Sequence, residues 1–235
     1  MKQIIVYLLL SFACFQAAGQ NPLEEQVTLW NRLYVVKKLP QIHSMGLLVE
    51  NRQFVNPWRG HIFLAELNYH RKISPLGSLG IHGTYLIFTL PHDPEVSNTS
   101  RKVELRTHQS FTYRWVAAKP SLLVTRIMLE ERFFRSESES EQKNGFALKY
   151  LRLRTRIKCA IPVTDRLKFI FSDEFMFQSP GDLDIGFDQN RLDAIFRYQL
   201  IPQLALDLGY LNWYQQRNTV DYLRHSIRTG VFIKI

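Results

Sequence analysis

Apolar and polar residues alternate along much of this chain. In the segment 102–116, KVELRTHQSFTYRWV, one parity begins with Val103 and Leu105 and continues with three aromatic residues, whereas the other begins with Glu104 and Arg106. Successive side chains of a β-strand point to opposite faces, so this segment predicts a strand with one apolar and one charged face. Several other segments of similar length repeat the pattern. The chain is therefore predicted to be all-β.

Eleven segments are strand candidates, and turn or loop residues separate them. Most have the ~9–11 residues that a tilted strand needs to cross a bilayer. Short turns rich in Pro, Gly, Asn or Asp alternate with longer polar loops, namely PHDPEVSNTS, RSESESEQKNG and SPGDLDIGFD. Short turns at one end and long loops at the other are typical of outer-membrane barrels. The candidates are Val27–Val36, Met45–Phe54, His61–Lys72, Ser78–Leu90, Lys102–Val116, Leu122–Phe134, Ala147–Cys159, Leu167–Phe177, Asn190–Leu200, Leu204–Gln215 and Tyr222–Ile235.

The predicted fold is a transmembrane, antiparallel, up-and-down β-barrel of about 12 strands, with about 10 as the alternative. Bacterial single-chain barrels have an even number of strands, whereas the pattern gives an odd number of segments. Either Gln20–Gln26 forms a further, poorly patterned strand, or one assignment is wrong. A soluble barrel or sandwich with its apolar face inward is the competing interpretation of the same alternation.

The first 19 residues, MKQIIVYLLLSFACFQAAG, predict a cleaved export signal. Lys2 supplies the positive start, an apolar run too short to span a bilayer follows, and small residues precede the expected cleavage site after Gly19. A lipoprotein signal ending at Cys14 is disfavoured because bulky Phe12 precedes Ala13. We therefore expect a signal peptide over 1–19 and a single outer-membrane barrel domain over 20–235.

Composition narrows the class of protein. The net charge of +9 would suit a nucleic-acid-binding protein, but Arg and Lys are spread through the predicted strands rather than clustered. Removing the signal leaves Cys159 as the single cysteine, which excludes an internal disulfide. The expected partners are outer-membrane lipid and the barrel-assembly machinery, without nucleic acid. No cofactor is predicted, and no metal site, because the histidines are scattered singly.

The charged parity predicts a network of side chains inside the barrel. Charges of both signs in a narrow interior must pair, because an unpaired buried ion is costly. One interpretation is a structural network that fills the lumen, and the other is a constricted pore whose arginines favour anions. We favour the network, since no segment resembles a constriction loop. The predicted members are Glu104, Arg106, His108, Arg126, Glu130, Arg132, Arg152, Arg154, Arg156, Glu174, Arg191, Asp193, Arg197, Asp207 and Arg228.

An outer-membrane lipid-modifying enzyme, a hydrolase or an acyltransferase, is the alternative function. His108 and Ser110 lie two residues apart on one face, with Glu104 on the same parity. Such pairs arise easily by chance on a polar strand face. Asp173 and Glu174 are adjacent and so point to opposite faces, which prevents them from acting together on one bond. No catalytic residue is assigned.

The C-terminal half carries a resemblance. FSDEFMF, GFDQNRLDAIFRYQL and LALDLGYLNWY follow one another as in domain-of-unknown-function family 2490, whose members are predicted outer-membrane barrels of Gram-negative bacteria. The resemblance implies a fold and a location but no activity. At the start of its strand, the Gln-Asn-Arg element is expected to tie loop backbone to the barrel wall. The matching residues are Ser172, Asp173, Glu174, Phe187, Gln189, Asn190, Arg191, Gly209, Tyr210 and Asn212.

Overall fold

The chain folds into one closed β-barrel, as seen in a computed structural model that describes residues 21–115, 121–135, 145–179 and 185–235. No helix in these ranges has the length and apolar character needed to cross a membrane. The all-β prediction is therefore confirmed. The strands are β1 (Leu23–Lys38), β2 (His43–Phe54), β3 (Arg59–Lys72), β4 (Gly77–Leu90), β5 (Ser100–Trp115), β6 (Leu122–Arg135), β7 (Phe146–Pro162), β8 (Leu167–Ser179), β9 (Gly186–Ile201), β10 (Leu204–Gln215) and β11 (Asp221–Lys234).

The barrel has eleven strands, so the preferred count of twelve and the alternative of ten are both wrong. Residues 23–26, which we assigned to a possible extra strand, are the start of β1. Consecutive strands pair antiparallel, but β1 and β11 pair parallel. An odd number of up-and-down strands leaves the first and the last running in the same direction, so closure must be parallel.

Side chains reinforce this parallel seam on both faces. Inside the barrel, the hydroxyl groups of Thr28 and Ser226 are 2.5 Å apart. Outside, the Thr229 hydroxyl donates a hydrogen bond of 2.6 Å to the side-chain oxygen of Asn31. The backbone register between the strands is continuous from Leu23 to Val36. Parallel closure is therefore supported by ladder and side-chain hydrogen bonds along the strands.

The two ends of the barrel differ in their connections. At the short-turn end, strands are joined by segments such as 39–42, 73–76 and 202–203. At the long-loop end, residues 91–99 join β4 to β5. The predicted signal peptide, most of RSESESEQKNG and part of SPGDLDIGFD lie outside the described residues. Among the described connections, 91–99 is longer than the turns as predicted, whereas 55–58 and 216–220 at the same end are about as short as the turns.

The barrel is apolar outside and charged inside. Outward side chains at mid-strand are well exposed, with Leu67 at 63%, Ile81 at 60% and Leu208 at 61%. Glu104 and Glu130, on the opposite parity, have no exposed surface. Because a small barrel has little interior volume, these charged groups contact side chains of neighbouring strands.

Candidate functional site

The interior at the long-loop end is built around two glutamates. Glu104 accepts two hydrogen bonds from Arg106, at 2.7 and 3.0 Å, and two from Arg132, at 2.5 and 3.0 Å. Arg106 and Arg132 face each other across β5 and β6. Like charges in such a position repel each other, so the shared carboxylate is what allows the pair to lie side by side.

Glu130 is the second buried glutamate and has four guanidinium neighbours, of which Arg132 is the most distant at 3.9 Å. Its carboxylate lies 2.9 Å from Arg154, 3.3 Å from Arg152 and 3.5 Å from Arg106. The ring of His108 is 3.7 Å away. One carboxylate thus offsets the charge of several cations that have almost no contact with solvent.

Further ion pairs cross the lumen between strands that are not neighbours in the sheet. Glu174 joins Arg126, at 2.6 Å, to Arg154, at 3.0 Å. Asp188 on β9 lies 2.9 Å from Arg152 on β7. The pairs Glu174–Arg126 and Asp188–Arg152 span strands that are two apart, so their side chains must point into the interior, whereas Arg154 lies on β7 beside Glu174 on β8.

Two pairs lie nearer the short-turn end. Arg197 donates two hydrogen bonds of 2.7 Å to Asp207, in the fork geometry that suits a carboxylate. Arg228 on β11 contacts Asp193 on β9. Both carboxylates therefore have a guanidinium partner.

Arg191 has no carboxylate at ion-pair distance within the described ranges. Its guanidinium lies 4.7 Å from the ring centre of Trp213 and 5.3 Å from that of Trp30, and it donates a hydrogen bond of 3.2 Å to Gln189. Arg52 covers the other indole, 3.6 Å from the ring centre of Trp30. Cation–π contacts thus stabilise charge where carboxylates are lacking.

Arg224 is fully buried and has a similar environment. It lies 4.6 Å from the ring centre of Trp213 and donates hydrogen bonds to Gln26, at 2.8 Å, and Gln215, at 2.7 Å. This arginine was not predicted as a member of the network. Arg224 shares one parity of β11 with Ser226 and Arg228, and this pattern could have placed it inside the barrel.

A further buried acid, Glu50, was also missed. Its carboxylate lies 2.7 Å from Arg32 and 2.6 Å from Arg52. All three residues occupy the parity of their strands that carries buried side chains. Strict use of parity in β1 and β2 would have found them.

A cavity of about 370 Å³ lies in the half of the lumen nearer the short turns. Its wall carries ten cationic side chains against five carboxylates. Solvent reaches this half, because the side chains of Arg32 and Arg197 are 29% and 26% exposed, whereas that of Arg152 in the other half is 3% exposed. The cations are Arg32, Arg52, Arg106, Arg126, Arg154, Arg156, Lys158, Arg191, Arg197 and Arg228, and the carboxylates are Glu50, Glu66, Glu174, Asp193 and Asp207.

Three side chains on the cavity wall could hold a metal ion. The ligand atoms of Glu66, His82 and His108 all lie within 4.8 Å of one another. His82 and His108 are direct partners across β4 and β5, so histidines far apart in the sequence are brought together by the register. The histidines were interpreted as lying apart from one another because they are scattered singly in the sequence. For His82 and His108 this interpretation is wrong. The surrounding excess of positive charge works against cation binding here.

The same region contains a chain of hydrogen bonds from a hydroxyl to a carboxylate. The hydroxyl of Ser110 lies 3.0 Å from Nε2 of His82, and Nδ1 of His82 lies 2.9 Å from Glu66. The sequence suggested that Ser110 pairs with His108. In the structure it is paired with His82 instead. Nucleophile, base and acid follow one another as in serine hydrolases. Ser110, however, is 5% exposed and is not part of the cavity wall.

Among the described residues, the Gln-Asn-Arg element binds other side chains and barrel backbone, whereas residues 180–184 of the loop that it was expected to tie to the wall lie outside the described ranges. Gln189 accepts a hydrogen bond of 2.6 Å from the indole of Trp213. Asn190 points outward and donates a hydrogen bond of 2.6 Å to Asp173. The Ser-Asp-Glu and Gln-Asn-Arg elements are therefore joined across β8 and β9.

Packing against β9 requires the glycine of the Gly-Tyr-x-Asn element. A side chain at Gly209 would lie 2.4 Å from the backbone oxygen of Ala194 on β9, so no larger residue fits without displacing the strand. Tyr210 lies outside, with its hydroxyl 2.5 Å from Nδ1 of His225. Ring stacking joins Phe187 to Tyr214, at 6.0 Å between centres. These residues, which carry the family resemblance, therefore stabilise the packing of the barrel wall.

The loop 91–99 covers part of the long-loop end. Arg59 donates hydrogen bonds of 2.7, 2.8 and 2.8 Å to the carbonyl groups of Pro91, Asp93 and Val96. A ring nitrogen of His92 lies 3.2 Å from the buried ring of His61. The loop is therefore held at the mouth of the barrel by side chains of β3.

His92 is neutral in this position. Burial, and then the positive charge of Arg224, lower the pKa of His92 to about 3. The backbone carbonyl of His92 accepts a hydrogen bond of 3.0 Å from Gln26 on β1. The start of the loop thus reaches from β4 towards β1 across the mouth of the barrel.

Fold and interior define a class: a closed β-barrel with an apolar exterior and a lumen filled by ion pairs. The chain belongs to the family described as "Protein of unknown function (DUF2490)", whose match covers residues 27–224. The resemblance noted from the sequence is thereby confirmed. The comparison with curated proteins finds no match.

Proposed function

We propose that this protein is an integral outer-membrane β-barrel, exported by a cleaved signal peptide and structural or only weakly pore-forming. The observation that carries the proposal is the inversion of the two faces: apolar side chains cover the outside, and buried charges fill the inside. Strands that alternate lipid-facing and lumen-facing residues have this arrangement. Outer-membrane lipid and the barrel-assembly machinery are then its expected partners.

Polar groups on the outer face support the same proposal. Glu131 contacts the Thr107 hydroxyl and accepts a hydrogen bond of 3.3 Å from Gln109, and Asp173 is bonded to Asn190. A polar group in hydrocarbon must be satisfied by protein, because no water is available to it. Each outward carboxylate of these two clusters has such a partner.

The interior supports a closed lumen. The ion pairs of Glu104 and Glu130 fill the long-loop half, and the loop 91–99 lies across part of its mouth. The cavity of about 370 Å³ lies in the short-turn half. A solute entering from that end meets the packed rings of Trp30 and Trp213.

Membrane insertion predicts a dependence on depth for arginine substitutions along β10. Leu208 and Leu204 lie on the outward parity of this strand, Leu208 near its middle and Leu204 at its end. Leu208→Arg should reduce the free energy of unfolding in lipid vesicles by about 2–4 kcal/mol, and Leu204→Arg by about 0–1 kcal/mol. Urea titrations of the two variants provide the measurement.

If the outer face were in water, the two variants would unfold at similar urea concentrations, because an exposed leucine contributes little there. That result would refute membrane insertion. Fractionation of expressing cells is the companion measurement. Recovery of the protein with outer membranes, and slower migration on gels after boiling, is the expected outcome.

A second candidate function, lipid hydrolysis or acyl transfer, is favoured by one observation, the alignment of Ser110, His82 and Glu66. His82 is placed to accept the proton of the Ser110 hydroxyl, and Glu66 to orient the ring. Because Ser110 is not on the cavity wall, the structural role is preferred.

A fluorophosphonate probe distinguishes these roles, since it labels only an activated and accessible serine. We expect the folded barrel to remain unlabelled at concentrations that label a serine esterase completely. Labelling that disappears in Ser110→Ala and falls in His82→Gln, while Ser78→Ala is labelled as before, would establish the hydrolase instead.

A further inference from the structure

Two cationic side chains on the cavity wall lack a partner among the described residues. Arg156 and Lys158 are neighbours on the inward face of β7, and the side chain of neither has a hydrogen bond, ion pair or cation–π contact within the described ranges. Glu174 is the partner of Arg156 in the register, but its carboxylate is bound by Arg126 and Arg154. The positive charge of β7 is therefore not offset at this level of the barrel.

The surroundings add to this charge. Arg156 lies directly opposite Arg126 across β6 and β7, a position in which like charges destabilise a sheet. Arg32 and Arg197 belong to the same cavity wall. An uncompensated cluster of this kind is costly in a protein interior.

Elsewhere in the lumen the protein compensates such charges itself. Arg191 and Arg224, which also lack a carboxylate partner in the described part of the chain, lie over indole rings and donate hydrogen bonds to glutamine side chains. Arg156 and Lys158 have neither an aromatic face nor an amide oxygen. Their ends face the cavity instead.

We propose that the cavity binds a small phosphate-bearing anion, held by Arg156 and Lys158. A guanidinium donates paired hydrogen bonds to phosphate oxygens, and an ammonium adds a point charge. A multiply charged phosphate matches a wall with twice as many cations as carboxylates better than a monocarboxylate does. The volume of about 370 Å³ lies within the range of small-molecule sites.

The ligand enters from the short-turn end, where Arg32 and Arg197 are partly exposed. The excess of positive charge at this end attracts anions toward the opening. The site is a property of the closed barrel and goes beyond the proposed function, since it does not depend on insertion into a membrane.

Isothermal titration calorimetry tests the site on the full barrel in uncharged maltoside micelles. Inorganic phosphate is one probe, and phosphatidylglycerol mixed into the micelles is the other. We expect saturable binding of phosphate that becomes about 100-fold weaker in Arg156→Gln/Lys158→Gln, at about tenfold for each charge-assisted contact. Arg166→Gln/Lys168→Gln is the matched control, because it removes the same two charges from exposed positions at the same end. It should bind as the unmodified protein does.

Urea unfolding without phosphate provides the second measurement. The double variant relieves repulsion in the cavity, so it should unfold at the same or a higher urea concentration than the unmodified protein. Binding of phosphatidylglycerol alone, lost in the double variant, would assign the phosphate to a lipid headgroup. Absence of saturable binding by both probes, equal binding by the double variant, or equal loss in the control would overturn the proposal.

Discussion

Glu130→Gln should destabilise the barrel by about 3–5 kcal/mol, the range expected when one partner of a buried ion pair is removed. The carboxylate has no exposed surface and lies close to Arg154, Arg152 and Arg106. A neutral amide removes the carboxylate that these three guanidinium groups share, so each keeps only its other carboxylate partner, namely Glu174 for Arg154, Asp188 for Arg152 and Glu104 for Arg106. Urea midpoints in lipid vesicles measure the effect, and the loss should be larger at low salt.

The next residue supplies the control for the same chemical change. Glu131 lies on the outer face, where it is bonded to Thr107 and Gln109 rather than to a cation. Glu131→Gln removes a charge from the proposed lipid-facing surface, so its stability should equal or exceed that of the unmodified protein. Equal destabilisation by both substitutions would contradict the assignment of the two faces.

The fold was predictable where alternation is strict. In β7, Arg152, Arg154 and Arg156 alternate with leucine and threonine, and this parity alone separates inside from outside. The error in strand number had two sources. Residues 23–26, LEEQ, lack the alternating pattern, and the rule of even strand numbers was applied to a barrel that closes with a parallel pair.

The interior was predictable only in part. Parity assigns Glu104 and Glu130 to the lumen, but it cannot identify their partners, because contacts across a barrel depend on register and on side-chain conformation. The pair of Arg152 with Asp188 joins strands that are not neighbours. The convergence of His82 and His108 depends likewise on the register of β4 and β5, which no local pattern reveals.

The proposed closed lumen predicts that the purified barrel is silent, or shows only rare and small openings, in a planar bilayer. The cavity of the short-turn half ends near Trp30 and Arg52. Beyond it, the ring of Trp213 packs against Trp30, and His61 packs against both Trp213 and His92. Removing Trp30, Trp213 and His92 together by alanine substitution should join the cavity to the other end. Steady conductance is then expected.

That conductance should prefer anions, because ten cations and five carboxylates line the cavity through which ions must pass. The control is Trp58→Ala/Trp115→Ala/His225→Ala, which likewise removes two tryptophans and one histidine, but from positions outside the lumen, and should stay silent. Adding Arg156→Gln and Lys158→Gln to the open variant should reduce the anion preference, since both charges face the path. A large, steady conductance of the unmodified protein would make it a channel, because a lumen in which the packed rings of Trp30 and Trp213 block the path beside the ion pairs has no open aqueous route through it.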